Sequence, residues 1–334
     1  MKKYIFFISL ILYSCNNVND FSHNEKQIFG KDLEIGCLVG QPVEISCIDS
    51  ILLFYDKYDK QTITIYDIKN EQFVRRFLNE GRAPGEVIVP LKLFTSERNK
   101  KLYVFQLQSG ILYEYNIMDI IQSNDEVTNY KKYLFEDRPA IIKMYNKGFI
   151  GIGIYDDNRY HIYSQNGNFV ASYGDYPFNG NNLNANDRFI IYQGSLCANP
   201  ENNFFSMGSS YCDNLEFYRI ENNHPVLIKK YETYDVKAQY KERIYINDDC
   251  IMNYKASYGS EKYCYMLYSG KTYEENNKHT YGGRKLIVFD WRGNYVKSFI
   301  ADMDIISFCV DEKNNNVYAV TLDKGGFKIT RFNF

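Results

Sequence analysis

The residues of this 334-residue chain that could do chemistry are spread over the turns between short apolar runs. Arg82, Glu86, Arg138, Tyr176, Asn181, Arg188 and Tyr240 bring guanidinium, carboxylate, amide and aromatic groups into connections long enough to form recognition surface. A guanidinium offers paired N–H donors to a carboxylate or to sugar hydroxyls, and an aromatic face stacks on a sugar ring or a peptide plane. The mixture points to binding of a glycan, a peptide or a protein. The same groups also suit their own loops: Arg82 is placed to pair with Glu86, and Phe178 to plug the loop that carries Tyr176.

Signatures of hydrolysis, metal catalysis or nucleotide use are missing. The chain holds no HExxH, no GxSxG, no Walker-type GxxxxGK[ST], and no GxGxxG after a strand. A glycosidase would need two carboxylates about 5 to 10 Å apart, which distant loops could bring together. Glu86, Asp187, Asp248 and Asp249 are the loop acids available for this, and each reads more naturally as a solvated loop acid. His23, His161, His224 and His279 are too dispersed for a zinc set, and the acidic runs at 156–158 and 311–315 lack the spacing of a calcium loop. No metal site and no cofactor is assigned.

Cys15 carries a different chemistry. The opening MKKYIFFISLILYSC has a basic start, an apolar run from Ile5 to Leu12 and a small residue before the cysteine. The apolar run is too short to span a bilayer, which needs about 20 such residues. Residues 1–14 therefore read as an export signal, Cys15 as the lipidated first residue of the mature chain, and 15–25 as a polar tether. Removing two lysines with the signal moves the formal charge from -2 to -4, which gives no electrostatic reason to hold nucleic acid. The expected address is the bacterial cell envelope, on the outer membrane, with the chain a monomer. An oxidising compartment permits disulfides among the seven remaining cysteines, and Cys197–Cys212 and Cys250–Cys264 are the favoured pairs, against buried free thiols.

The elements that must position these residues are strands. Aromatics make up 17% of the chain, with 32 tyrosines and 23 phenylalanines, and suit pleated, half-buried positions. From Gln41 onward one pattern recurs: apolar strand, turn, aromatic strand, turn, and a strand ending near a Tyr-Asp or Tyr-Asn step. Third-strand positions fall near Tyr66, Tyr115, Tyr163, Tyr218, Phe289 and Arg331, roughly 42 to 71 residues apart. The last unit stops after three strands, and 26–36 is the segment able to supply the fourth and close a ring. The fold expected is all-β, a six-bladed β-propeller over 26–334; the alternative, two β-sandwiches, lacks a linker. The stretch Tyr234–Ile246 reads as a short helix with Tyr240 beside Ile244.

The lipid-attachment pattern at Cys15, the segment LNEGRAPGEVIVP (78–90) and the six repeats together resemble the TolB-like six-bladed propeller lipoproteins of Bacteroides-type bacteria. Gly81, Pro84, Gly85 and Glu86 match the Gly-x-x-Pro-Gly-Glu loop that recurs there and in NHL-type propellers. The resemblance implies an exported propeller and no particular reaction. Three functions compete: a noncatalytic binding protein that uses its inter-blade loops, a glycan-processing hydrolase or lyase with acids converging in the channel, and an envelope scaffold.

Overall fold

Blade 1 shows why the chain forms sheets. Its strands Pro42–Ile48, Ile51–Asp56, Gln61–Asp67 and Gln72–Asn79 pair antiparallel in sequence order. Asp49 and Glu71 take left-handed backbone angles in its tight turns. The two central strands are buried along almost their whole length, on both faces. Neighbouring blades cover both sides, so Thr62 and Thr64 are as buried as Ile63 and Ile65, and apolar alternation is blurred.

The computed structural model describes residues 21–123, 127–278, 282–323 and 325–334; the signal segment and Cys15 lie outside them. Blades 2, 3 and 4 repeat the four-stranded order, with inner strands Leu91–Ser96, Ile141–Tyr145 and Gly194–Ala198. Blade 5 starts at Tyr254–Gly259. The long strand Tyr295–Asp311 serves twice: its first half pairs with Gly283–Asp290 as the outer strand of blade 5, and its second half pairs with Asn316–Asp323 as the inner strand of blade 6. All six third-strand markers from the sequence fall in third strands.

The core is a ring of six interfaces. Each joins neighbouring blades: Leu53 and Leu93 between blades 1 and 2, Phe105 and Phe149 between 2 and 3, Ile150 and Phe205 between 3 and 4, Phe217 and Met266 between 4 and 5, Leu267 and Val317 between 5 and 6, and Phe54 and Tyr318 between 1 and 6. A satellite cluster of Tyr176, Ile191, Tyr192, Cys212 and Ile244 lies under the long connections around blade 4.

The N-terminal segment closes the ring as expected, and does more. Gly30–Asp32 pairs antiparallel with Gly326–Asn333 and is the fourth strand of blade 6. Glu25–Ile28 runs parallel to the outer strand of blade 5, with Glu25 opposite Ser298. Within the stretch read as a tether, Phe21 is half-buried, its ring meeting Tyr231 and Phe289 edge-on at 5.3 and 5.2 Å, while residues 22–25 are exposed.

Two local expectations are corrected. Tyr234–Ile246 contains a hairpin, Ala238–Tyr240 with Ile244–Ile246, so Tyr240 and Ile244 meet across a ladder rather than along a helix. Neither favoured disulfide pair is bonded; all seven described cysteines are free thiols. Hairpin register explains it. Cys197 lies opposite Ser206 while Cys212 sits beyond the end of that strand, and Cys264 lies opposite Gly259, at the far end of its hairpin from Cys250. The thiols that do touch come from adjacent blades, Cys197 with Cys264 and Cys47 with Cys309.

Candidate functional site

The predicted site residues lie on four successive inter-blade connections and do not converge. Glu86 is occupied in its own loop, where its carboxylate accepts the Ala83 N–H at 2.8 Å. Gly85 has φ +89°, so the turn requires glycine there, and a Cβ on Gly81 would stand 1.8 Å from that carboxylate and displace it. Arg82 points to solvent. Arg138, exposed, has left-handed φ, and its N–H closes a turn onto the Phe135 carbonyl.

The third connection folds inward. Arg188, on the helix Ala185–Tyr192, is buried and donates to the carbonyls of Tyr155, Asp156 and Asp157 at 2.9, 3.0 and 3.3 Å. Its guanidinium lies 4.9 Å from the centre of the buried Tyr176 ring. Asn181 accepts the Tyr176 N–H and donates to Asp175. Tyr176, Asn181 and Arg188 thus build a plug over blades 3 and 4. Tyr240, on the hairpin, is 56% exposed.

Beneath the plug lies a polar network that sequence reading missed. His161 meets Asp137 through Nδ1 and Asp157 through Nε2, the latter at 2.9 Å, and stacks on Tyr155. Tyr163 donates to Asp137 at 2.6 Å. Across the blade interface, buried Arg159 pairs with Glu216 at 2.6 Å. Both imidazole nitrogens face carboxylates, and Asp137 takes His161 and Tyr163 on Oδ2 while its buried Oδ1 has no protein partner, so the network ties blades and loops together. Among the described residues no group of three or more His, Cys, Asp or Glu could hold a metal ion.

The open space is on the axis. All six inner strands line a cavity of about 830 Å³. Its mouth is formed by the turns that follow those strands, with Glu97, Arg98, Glu201, Glu261, Lys262 and Lys313. The connections carrying Arg82, Arg138, Tyr176, Arg188 and Tyr240 contribute no lining residue. Successive strands run up and down each blade, so those connections and the mouth are on opposite faces.

Along the walls, three lysines stand near the starts of inner strands: Lys92 in blade 2, Lys143 in blade 3 and Lys255 in blade 5. Glu44 of blade 1 pairs with Lys92. Lys143 lies 5.7 Å from the Phe94 ring centre; burial lowers its ammonium pKa, with Glu44 acting in the opposite direction. Burial pushes Lys255 down to about 8. Between the charges run hydroxyls, Ser46 to Thr95 at 2.9 Å and Ser195 to Ser257 at 2.7 Å. On the rim, Lys313 pairs with Glu97 at 3.2 Å and Arg98 with Glu201 at 3.5 Å. One sequence signal could have found the wall: a lysine within the first three residues of an otherwise apolar or small inner strand, in LKLF, IIKM and YKAS.

The TolB-like 6-blade propeller-like family model matches residues 19–313. The chain belongs to that family. Among solved structures, this TolB-like propeller is similar to a candidate exported protein of Bacteroides fragilis NCTC 9343, with 11% identity, TM-score 0.58, and 92% of this chain and 98% of that one covered. It is also similar to a member of the DUF4221 family from Bacteroides vulgatus, with 12% identity, TM-score 0.56, and coverage of 92% and 96%. At such identity both speak for the fold. No curated protein matches the sequence. No helix among the described residues is long and apolar enough to cross a membrane.

Proposed function

We propose that this TolB-like propeller is an exported, lipid-anchored, noncatalytic binding protein that receives a glycan or peptide in its axial cavity. The observation that carries the reading is the cavity itself, lined by every blade and within the volume range of ligand sites, roughly 300 to 1,000 Å³. Its wall chemistry favours binding over glycoside cleavage. Of the acids on the lining strands, Glu44 is held by Lys92, and Asp311, at the turn end, accepts from Asn314. No free pair of carboxylates spaced for acid and base is offered there.

The loop face keeps Arg82, Arg138 and Tyr240 as exposed groups for an envelope-protein partner. A scaffold role is a second reading, favoured by one observation: Phe169 and Val170 on the outer strand of blade 3 and Val226, Leu227 and Ile228 on that of blade 4 are exposed apolar side chains on touching strands.

The test is a glycan and peptide array probed with the full-length protein, with Ser257→Phe to fill the cavity and Arg82→Ala to alter the loop face. Binding lost in the first variant and kept in the second supports the axial site. The reverse pattern moves recognition to the loops, provided the Ser257 variant melts like the parent.

A further inference from the structure

We propose that the axial cavity is an anion site, taking a small organic carboxylate or phosphate whose charge is matched by Lys143 and Lys255. The proposal rests on the reading of the cavity as a binding site and names the class of ligand.

The first argument is the charge of the wall. Three lysines and two carboxylates lie on the lining strands; Glu44 is taken by Lys92, and Asp311, at the mouth end, accepts from Asn314, so Lys143 and Lys255 stand in no ion pair among the described residues. Two ammonium groups are left over in a space walled by protein, where solvation is poorer than at the surface. The second is position. The inner strands follow one another around the axis in blade order, so Lys92 and Lys143 come from neighbouring blades while Lys255, in blade 5, stands across the ring from blade 2. A ligand on the axis meets positive charge from more than one side.

The third argument is the contrast with the mouth. Rim charges neutralise each other in the pairs Lys313–Glu97 and Arg98–Glu201, whereas the interior keeps its surplus. A field of one sign inside a low-dielectric channel concentrates counter-ions of the other. The Ser307 hydroxyl and the ring of Tyr258 add a polar group and an apolar face for the uncharged part of such a molecule, while Ser195, which donates to Ser257, and Ser257, which donates to the Leu196 carbonyl, offer oxygen lone pairs. Burial costs both lysines some of their affinity for the proton, and a bound anion reverses that cost.

The experiment titrates full-length detergent-solubilised protein with citrate, glucose 6-phosphate and neutral glucose at low ionic strength, by calorimetry. Both anions, or citrate alone if the site selects carboxylate, bind in preference to glucose. Lys143→Met and Lys255→Met, which keep side-chain length and remove charge, each weaken anion binding by about tenfold or more. Lys255→Arg restores it in part. The melting curve of each variant checks folding. Failure of every anion to bind at about 10 mM, or equal affinity in a folded double methionine variant, overturns the anion site. If neutral oligosaccharides then bind and Ser257→Phe blocks them, the cavity reading stands without the charge; if they do not, it falls as well.

Discussion

Lysine in the cavity wall does not behave as it does in water. The titratable groups on the lining strands are Glu44, Lys92, Lys143, Cys197, Lys255, Tyr258 and Asp311, and burial is the largest cause that lowers Lys143 and Lys255. For Lys255 the sign works as follows. Between about pH 8 and its ordinary value of 10.5 the unfolded chain holds a proton that the folded chain has lost, so stability climbs with pH through that window. Below pH 8 both states are protonated and the full penalty applies. Lys255→Met is therefore expected to stabilise the protein at pH 7, by no more than about 3 kcal/mol, and to flatten the rise between pH 8 and 10.5 in urea titrations. Arg188 gives the opposite case. With its donors on three loop carbonyls and its plane near Tyr176, Arg188→Ala should cost about 2 to 4 kcal/mol and lower the melting temperature. An unchanged melting temperature would return Arg188 to the list of ligand candidates. Its type was legible in the sequence as a recognition group, but its direction was not, because only the packed helix Ala185–Tyr192 turns it inward.

At the scale of elements, strand identity was largely written in the residues. The blade 1 run ILLFYD forms the strand Ile51–Asp56, and the other three strands differ from their apolar runs by a residue or so at the ends. The connections were less legible. Tyr240 and Ile244 read as one helical face, yet β-branched and aromatic residues on either side of a Lys-Glu-Arg turn pair as a hairpin once the satellite cluster holds Ile244. The N-terminal segment shows how much one short element can do. Glu25–Ile28 extends blade 5, Gly30–Asp32 completes blade 6, and a Cβ on Gly30 would stand 2.6 Å from Thr330. Deleting residues 26–36 should remove the buried Ile28, uncover the outer strand of blade 5 and the third strand of blade 6, lower the stability by several kcal/mol, and make unfolding less cooperative. A single transition at the parental midpoint in guanidinium, by fluorescence and circular dichroism alike, would contradict the closure.

For the whole molecule, address and architecture are separate questions. The signal pattern and Cys15 predict that Cys15→Ala releases the protein from the membrane pellet to the soluble fraction without changing its melting temperature, as measured by fractionation and calorimetry. Retention of the variant in the pellet would remove the lipid from the proposal. The six-bladed ring was determined by the sequence itself, because six units of strand-forming residues, each unable to bury both faces alone, have to pack against one another and close. What only the tertiary structure decided was which side chains share a space. Lys92, Lys143 and Lys255 are far apart along the chain and line one channel because hairpin register and blade packing point one face of each inner strand there. The same register separates the cysteines that looked paired. It also leaves the loop residues that looked like a site on the face opposite the cavity mouth. Local pattern specifies strands and their number; the side of a strand that faces the channel depends on long-range pairing, which one-dimensional spacing does not encode.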